Sequence, residues 1–122
     1  MKLRFRGNSL RLRLNRREVE ALASGRAIEE RITFPVSDLT YTLEPTSRND
    51  PQASFEQNTI RILAPNAEIA RWSSDESIGL YYDLPTAGAP LRIMIEKDLE
   101  CIDGPPEERD PEAFARSIPK SC

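Results

Sequence analysis

Apolar and charged residues alternate strictly at the start of the chain. Leu3 and Phe5 stand against Lys2, Arg4 and Arg6, then Leu10, Leu12 and Leu14 against Arg11 and Arg13. A period of two is the signature of a strand with one buried face. Gly7-Asn8 between the runs tolerates turn geometry, so the pattern predicts a hairpin with an apolar face and an arginine face. The period then changes. Asn15 is a candidate N-cap for a short helix over Arg16–Ser24, with Val19 and Leu22 on one side and Gly25 as its stop. Two further strands are expected near Ala27–Phe34 and Leu39–Glu44.

The same order returns 50 residues later. Residues 5–28 align without a gap on residues 55–78: Phe5 falls on Phe55, Asn8 on Asn58, Arg11 on Arg61, Glu18 on Glu68, Ser24 on Ser74 and Ile28 on Ile78. Leu10 meets Ile60, Leu12 meets Ile62, Val19 meets Ile69 and Leu22 meets Trp72, so the apolar positions coincide. The second copy predicts strands at Ala53–Glu56 and Thr59–Leu63, a helix near Asn66–Ser73, and strands at Ile78–Asp83 and Leu91–Glu96. Each half reads strand-strand-helix-strand-strand, and such a half is too small to close a core alone. The expectation is a mainly β protein with two short helices (α+β): one pseudo-twofold barrel over residues 1–98, with halves 1–49 and 50–98. Residues 99–122 follow as a C-terminal arm.

RFRGNSLRLRLN resembles the N-terminal strands of the AbrB/MazE (SpoVT–AbrB) family, in which a G-N-S turn precedes a strand ending in Arg-apolar-Pro; QNTIRILAP in the second half keeps the Asn, a Thr for the Ser, and Pro65. The resemblance implies that hairpins interleave into a swapped-hairpin barrel, here within one polypeptide. It also implies DNA binding or a regulatory role. From MKLRFRGNSLRLRL through LRIMIEKDLEC the whole chain is also similar to an uncharacterised bacterial family of unknown function, which carries no activity with it.

Composition narrows the chemistry. The 122 residues suit one domain, and 39% hydrophobic with 30% charged residues suits a soluble fold. No apolar run approaches the roughly 20 residues of a membrane span. MKLRFRG is too charged for a secretory signal, so a cytoplasmic protein without membrane contact is expected. The net charge of −3 conceals an asymmetry: residues 1–34 carry nine Lys/Arg against four Glu, while the remaining two segments are acidic. Lys2, Arg4, Arg6, Arg11 and Arg13, joined by Arg16 and Arg17 at the helix start, are the candidate polyanion-binding residues, with duplex DNA as the candidate partner. The competing expectation is an ordinary surface, with the arginines opposite Glu29, Glu30 and Glu44 across strands. The second half lacks the basic face, having Glu56 and Gln57 where the first has Arg6 and Gly7.

After Lys97 the pattern stops, and acids and prolines dominate. Asp110-Pro111 suits a helix start, and Phe114 and Ile118 could dock on the barrel or bind a protein partner. There is no histidine, which removes the commonest general base and metal ligand. Cys101 and Cys122 lack C-x-x-C spacing and are expected to be free thiols or, less simply, a disulfide. The acidic pairs Glu29-Glu30, Asp75-Glu76 and Glu107-Glu108 read as solvated charge, Asn8 and Asn58 as turn residues, and Trp72 as core. The expectation is a non-enzymatic binding protein without metal or cofactor. Its two halves in one chain predict a monomer. The alternative is a protein–protein interaction module acting through the arm, without nucleic acid.

Overall fold

The alternating runs fold as hairpins. In the computed structural model, which describes residues 1–99, 111, 112 and 114, β1 (Lys2–Arg6) and β2 (Ser9–Leu14) are followed by α1 (Arg16–Ala23), β3 (Ile28–Thr33) and β4 (Asp38–Thr46). The second half repeats the order as β5 (Gln52–Glu56), β6 (Thr59–Pro65), α2 (Asn66–Ser74), β7 (Gly79–Leu84) and β8 (Leu91–Lys97). Gly7 takes φ 55° in the first hairpin turn, where a side chain would be strained. Its counterpart Gln57 and the following Asn58 take φ 51° and 58°, both in the left-handed region used by tight two-residue turns.

The hairpins interleave, as the swapped arrangement requires. One sheet has the order β1-β2-β8-β7 and the other β3-β4-β6-β5. The first hairpin of each half therefore pairs with the last hairpin of the other half, and the central contacts, β2 with β8 and β4 with β6, are parallel. Strand pairing stays within each four-stranded sheet, so the enclosure expected of a barrel is completed by side-chain contacts between sheets. Leu10, Leu12, Leu14, Leu80, Ile93 and Ile95 from the first sheet, and Tyr41, Leu43, Ile62 and Ala64 from the second, form one buried cluster.

Register shows where the gapless alignment of the halves ends. Leu12 opposes Ile95, and Ile62 opposes Leu43, so Leu43 and Ile95 are equivalent at an offset of 52 rather than 50. Ile28 pairs with Leu43 and Leu80 pairs with Ile95. The structural counterpart of Ile28 is thus Leu80, and its identity with Ile78 is accidental. Two additional residues enter around the end of α2, which is one residue longer than α1. The architecture is compatible with duplication of a half-length unit.

Chain direction places all four hairpin turns at one end and both helices at the other. α1 is fixed by a capping box: the Asn15 side chain accepts from the Glu18 amide at 3.0 Å, and the Glu18 carboxylate accepts from the Asn15 amide at 3.0 Å. α2 begins after Pro65, which has no such side chain. Val19, Leu22, Ile69 and Trp72 close the helical end of the core, and the Trp72 indole donates to the Ile78 carbonyl at 2.9 Å.

The Met1 ammonium lies beside Glu18 and Glu30 at this end. Burial alone would lower its pKa, but hydrogen bonds and charge attraction from the two carboxylates outweigh this and raise it above 8.0. The equivalents of Glu18 and Glu30 are Glu68 and Tyr82, and there the Tyr82 hydroxyl donates to Glu68 at 3.0 Å. Burial and then Glu68 push the Tyr82 phenol well above its ordinary range.

Two outcomes follow for stability. Leu43→Ala removes a fully buried side chain shared by both halves and should cost about 3 kcal/mol in urea unfolding; a loss below about 1 kcal/mol would contradict a shared core. Because the folded ammonium has the higher pKa, its contribution is complete below the unfolded value of 8.0 and declines as pH rises through the folded value. Glu30→Gln should flatten that alkaline decline, at a cost of up to about 1 kcal/mol at neutral pH, measured by thermal melts across pH 7–10.

Candidate functional site: a basic sheet face and an open apolar end

Strand alternation sorts the arginines before any tertiary contact is considered. Lys2, Arg4 and Arg6 on β1 oppose Arg13, Arg11 and Ser9 on β2, all pointing away from the core. The next strand, β8, continues these rows with Glu96, Met94 and Arg92. The edge strand β7 completes them with Gly79, Tyr81 and Asp83. The outer face therefore carries six cations (Lys2, Arg4, Arg6, Arg11, Arg13 and Arg92) and two acids, Asp83 and Glu96.

Glu96 is heavily used. Arg11 Nε lies 3.0 Å from its carboxylate, though without hydrogen-bond alignment, and Arg13 Nε lies at 4.0 Å. The Tyr81 hydroxyl donates to the same carboxylate at 2.8 Å, and burial and then Glu96 raise the Tyr81 pKa. Gly79 makes this approach possible: a Cβ there would lie 2.7 Å from the Tyr81 hydroxyl. Lys2 Nζ reaches Asp98 Oδ2 at 2.8 Å. Arg4, Arg6 and Arg92 make no ion pair among the described residues and are exposed.

The equivalent outer face of the other sheet is different in sign. It carries Arg31 and Arg61 against Glu29, Asp38, Glu44 and Glu56, and Arg61 Nε pairs with Glu44 at 2.8 Å. The acids expected opposite the arginines of β1 and β2 are thus all elsewhere. Glu29, Glu30 and Glu44 belong to the second sheet, and the partial neutralisation of the basic face comes from Glu96 and Asp98 instead.

Arg16 and Arg17 do not join the basic face. They open α1 at the helical end, where the described arm residues meet them. The Arg16 amide donates to the Glu112 carbonyl at 2.7 Å, satisfying one of the free N–H groups at a helix start. Arg17 Nε lies 3.6 Å from the Glu112 carboxylate. The Phe114 amide donates to the Asp98 carbonyl at 2.7 Å, and Leu99 and Phe114 form an isolated bridge.

The Phe114 ring packs on the core, 5.8 Å from the Arg16 guanidinium and 5.5 Å from Lys97 Nζ. Lys97 is 8% exposed, with its ammonium also 5.8 Å from the Trp72 ring centre and donating to the Asp75 carbonyl at 2.8 Å. Two aromatic faces and a carbonyl thus replace water around this cation. Ile118, Cys101, Cys122, Glu107, Glu108 and Asp110 lie outside the described residues.

The opposite end has no helix over it. A cleft of about 500 Å³ opens between the sheets among the hairpin turns. Equivalent residues of the two halves line it in pairs: Phe5 with Phe55, Leu10 with Ile60, and Leu91 with Leu39. Phe5 is 60% and Phe55 69% exposed, although alternation reads both as core residues. Arg92 and this cleft were hidden from sequence reasoning, because both depend on pairings between strands remote in sequence.

Among the described residues, no group of three or more Cys, Asp or Glu side chains is placed to hold a metal ion. No helix among them is long and apolar enough to cross a membrane. Phe114→Ala should free the arm, raising the labelling rate of Lys97 by an amine-directed reagent several-fold; an unchanged rate in a folded variant would contradict the aromatic enclosure. A family of unknown function (DUF7009) matches residues 1–116 of the chain. No curated protein and no solved structure matches it.

Proposed function

The chain belongs to this family of unknown function, and from that premise we propose that it is a non-enzymatic, monomeric nucleic-acid-binding protein that uses the outer face of β1, β2 and β8. One observation carries the reading. Two sheets of equivalent topology carry opposite charge balances, six cations against two acids on one and two against four on the other. Core packing requires neither balance, since these side chains point outward. A polyanion is the partner that discriminates between the faces.

The geometry favours phosphate contact. Four strands about 4.8 Å apart give a face about 14 Å across, wider than the roughly 12 Å major groove that admits a two-stranded ribbon. Arg4, Arg6 and Arg92 are free to reach phosphates, while Arg11 and Arg13 share Glu96 and would reorient to contribute. The AbrB/MazE resemblance supports the same partner class, with the difference that only one of two ribbons is basic. An interaction role for the arm is less well supported, because Phe114 is already engaged by its own chain.

Fluorescence anisotropy with mixed-sequence duplex DNA tests this. For about five phosphate contacts, log affinity should fall with log salt at a slope of about −4 to −5. Arg4→Glu with Arg6→Glu should weaken binding at least tenfold and reduce the slope by about 2. Absence of binding at low salt would overturn the proposal, as would an unaltered slope in the double variant.

A further inference from the structure

The basic face also carries an aromatic ring. Tyr81, on the edge strand β7, points outward from the first sheet and is 50% exposed. Its row across the sheet reads Arg4, Arg11, Met94 and Tyr81. The equivalent row of the second sheet reads Ser54, Arg61, Thr42 and Glu29, without an aromatic. The ring and the excess of cations thus occur on the same face, and both are missing from its counterpart.

The ring is held against the sheet. A Cβ at Gly79 would lie 2.7 Å from the Tyr81 hydroxyl and 2.8 Å from its Cζ, so the phenol runs back along β7 over a residue with no side chain. The hydroxyl is anchored on the Glu96 carboxylate at 2.8 Å. The side chain therefore lies along the surface instead of standing off it, and its exposed half is the half turned from the backbone. Its orientation is fixed before any ligand arrives, so little side-chain freedom remains to be lost on binding.

Cations stand around it. Arg92 on β8 is the diagonal neighbour of Tyr81, about 7–8 Å away along the sheet. Arg11 stands two strands away, its guanidinium donating to the Met94 sulfur at 3.6 Å. An aromatic with flanking guanidinium groups takes a planar base and the phosphates on either side of it. Bases of a duplex present only their edges in the grooves, whereas an unpaired strand can turn a base face onto a ring. We infer that this face takes single-stranded nucleic acid, with a base stacked on Tyr81 and adjacent phosphates on Arg11 and Arg92. The inference rests on the nucleic-acid reading and narrows it to unpaired strands.

Fluorescence anisotropy of the full chain with one labelled mixed-sequence DNA strand, alone and annealed to its complement, tests the assignment. The single strand should bind at least tenfold more tightly than the duplex, which engages through its phosphates alone. Tyr81→Leu should weaken the single strand at least fivefold and leave the duplex unchanged. The salt slope should stay as it was, because stacking releases no counterions. Tyr81→Phe, which keeps the ring and loses the bond to Glu96, should retain most of the affinity. An RNA strand of the same sequence carries the same stacking chemistry, and Tyr81-dependent binding of either strand meets the proposal.

In Tyr81→Trp the new indole should be quenched when unlabelled strand is added, against a background of Trp72 that is fully buried. Emission unchanged at saturation would overturn the proposal. Equal affinity for strand and duplex, or parental affinity in folded Tyr81→Leu, would overturn it too and leave the nucleic-acid reading standing. Absence of binding by strand and duplex alike would overturn that reading as well.

Discussion

Everything in this protein depends on two parallel strand contacts, β2 with β8 and β4 with β6. Parallel neighbours cannot be joined by a tight turn, so each contact must be made between segments far apart in the chain. Here they come from different halves. Neither half owns a sheet, and every buried layer mixes the two: Leu12 stands beside Ile95, and Ile62 beside Leu43. The helices follow from the same constraint. Each carries the chain from a strand of one sheet to a strand of the other at one end of the molecule, and there Val19, Leu22, Ile69 and Trp72 close the core.

On that near-symmetric frame the chemistry is asymmetric. Positions facing inward are conserved in character between the halves, because packing penalises changes in volume or polarity. Positions facing outward are not held by packing, and there Arg6 answers to Glu56 and Arg13 to Leu63. Even the acids that do correspond differ in use, with Glu18 holding a helix cap and an ammonium while Glu68 accepts from a phenol. With the frame equivalent in the two halves and the outward residues unlike, the charge of one face can differ from that of the other without disturbing the core.

The local elements were legible in the sequence because each is written in consecutive residues. Alternation over Lys2–Arg6 and Ser9–Leu14 specifies a hairpin, and Asn15 with Glu18 specifies a helix start. The interleaving of hairpins followed only from the resemblance to a known family. Long-range features were less accessible. The match of Ile28 with Ile78 continued a true alignment past its end, since nothing local marks the two added residues. Phe5 and Phe55 carry the alternation of core residues, and their exposure comes from the absence of a helix at the turn end. Arg16 and Arg17 are contiguous in charge with the hairpin, yet α1 turns them toward the arm. Arg92 joins the basic face only through β8, more than 80 residues from the strand beside it.

That separation has a consequence for synthesis. β2 leaves the ribosome more than 80 residues ahead of its partners in β8, so one edge of the first hairpin stays unpaired until β8 has been made. Folding that waits on such remote contacts is slow to begin and late to complete. During translation the nascent chain presents an unmatched strand edge and an arginine-rich ribbon together. The charges along that ribbon oppose edge-to-edge association of neighbouring nascent chains.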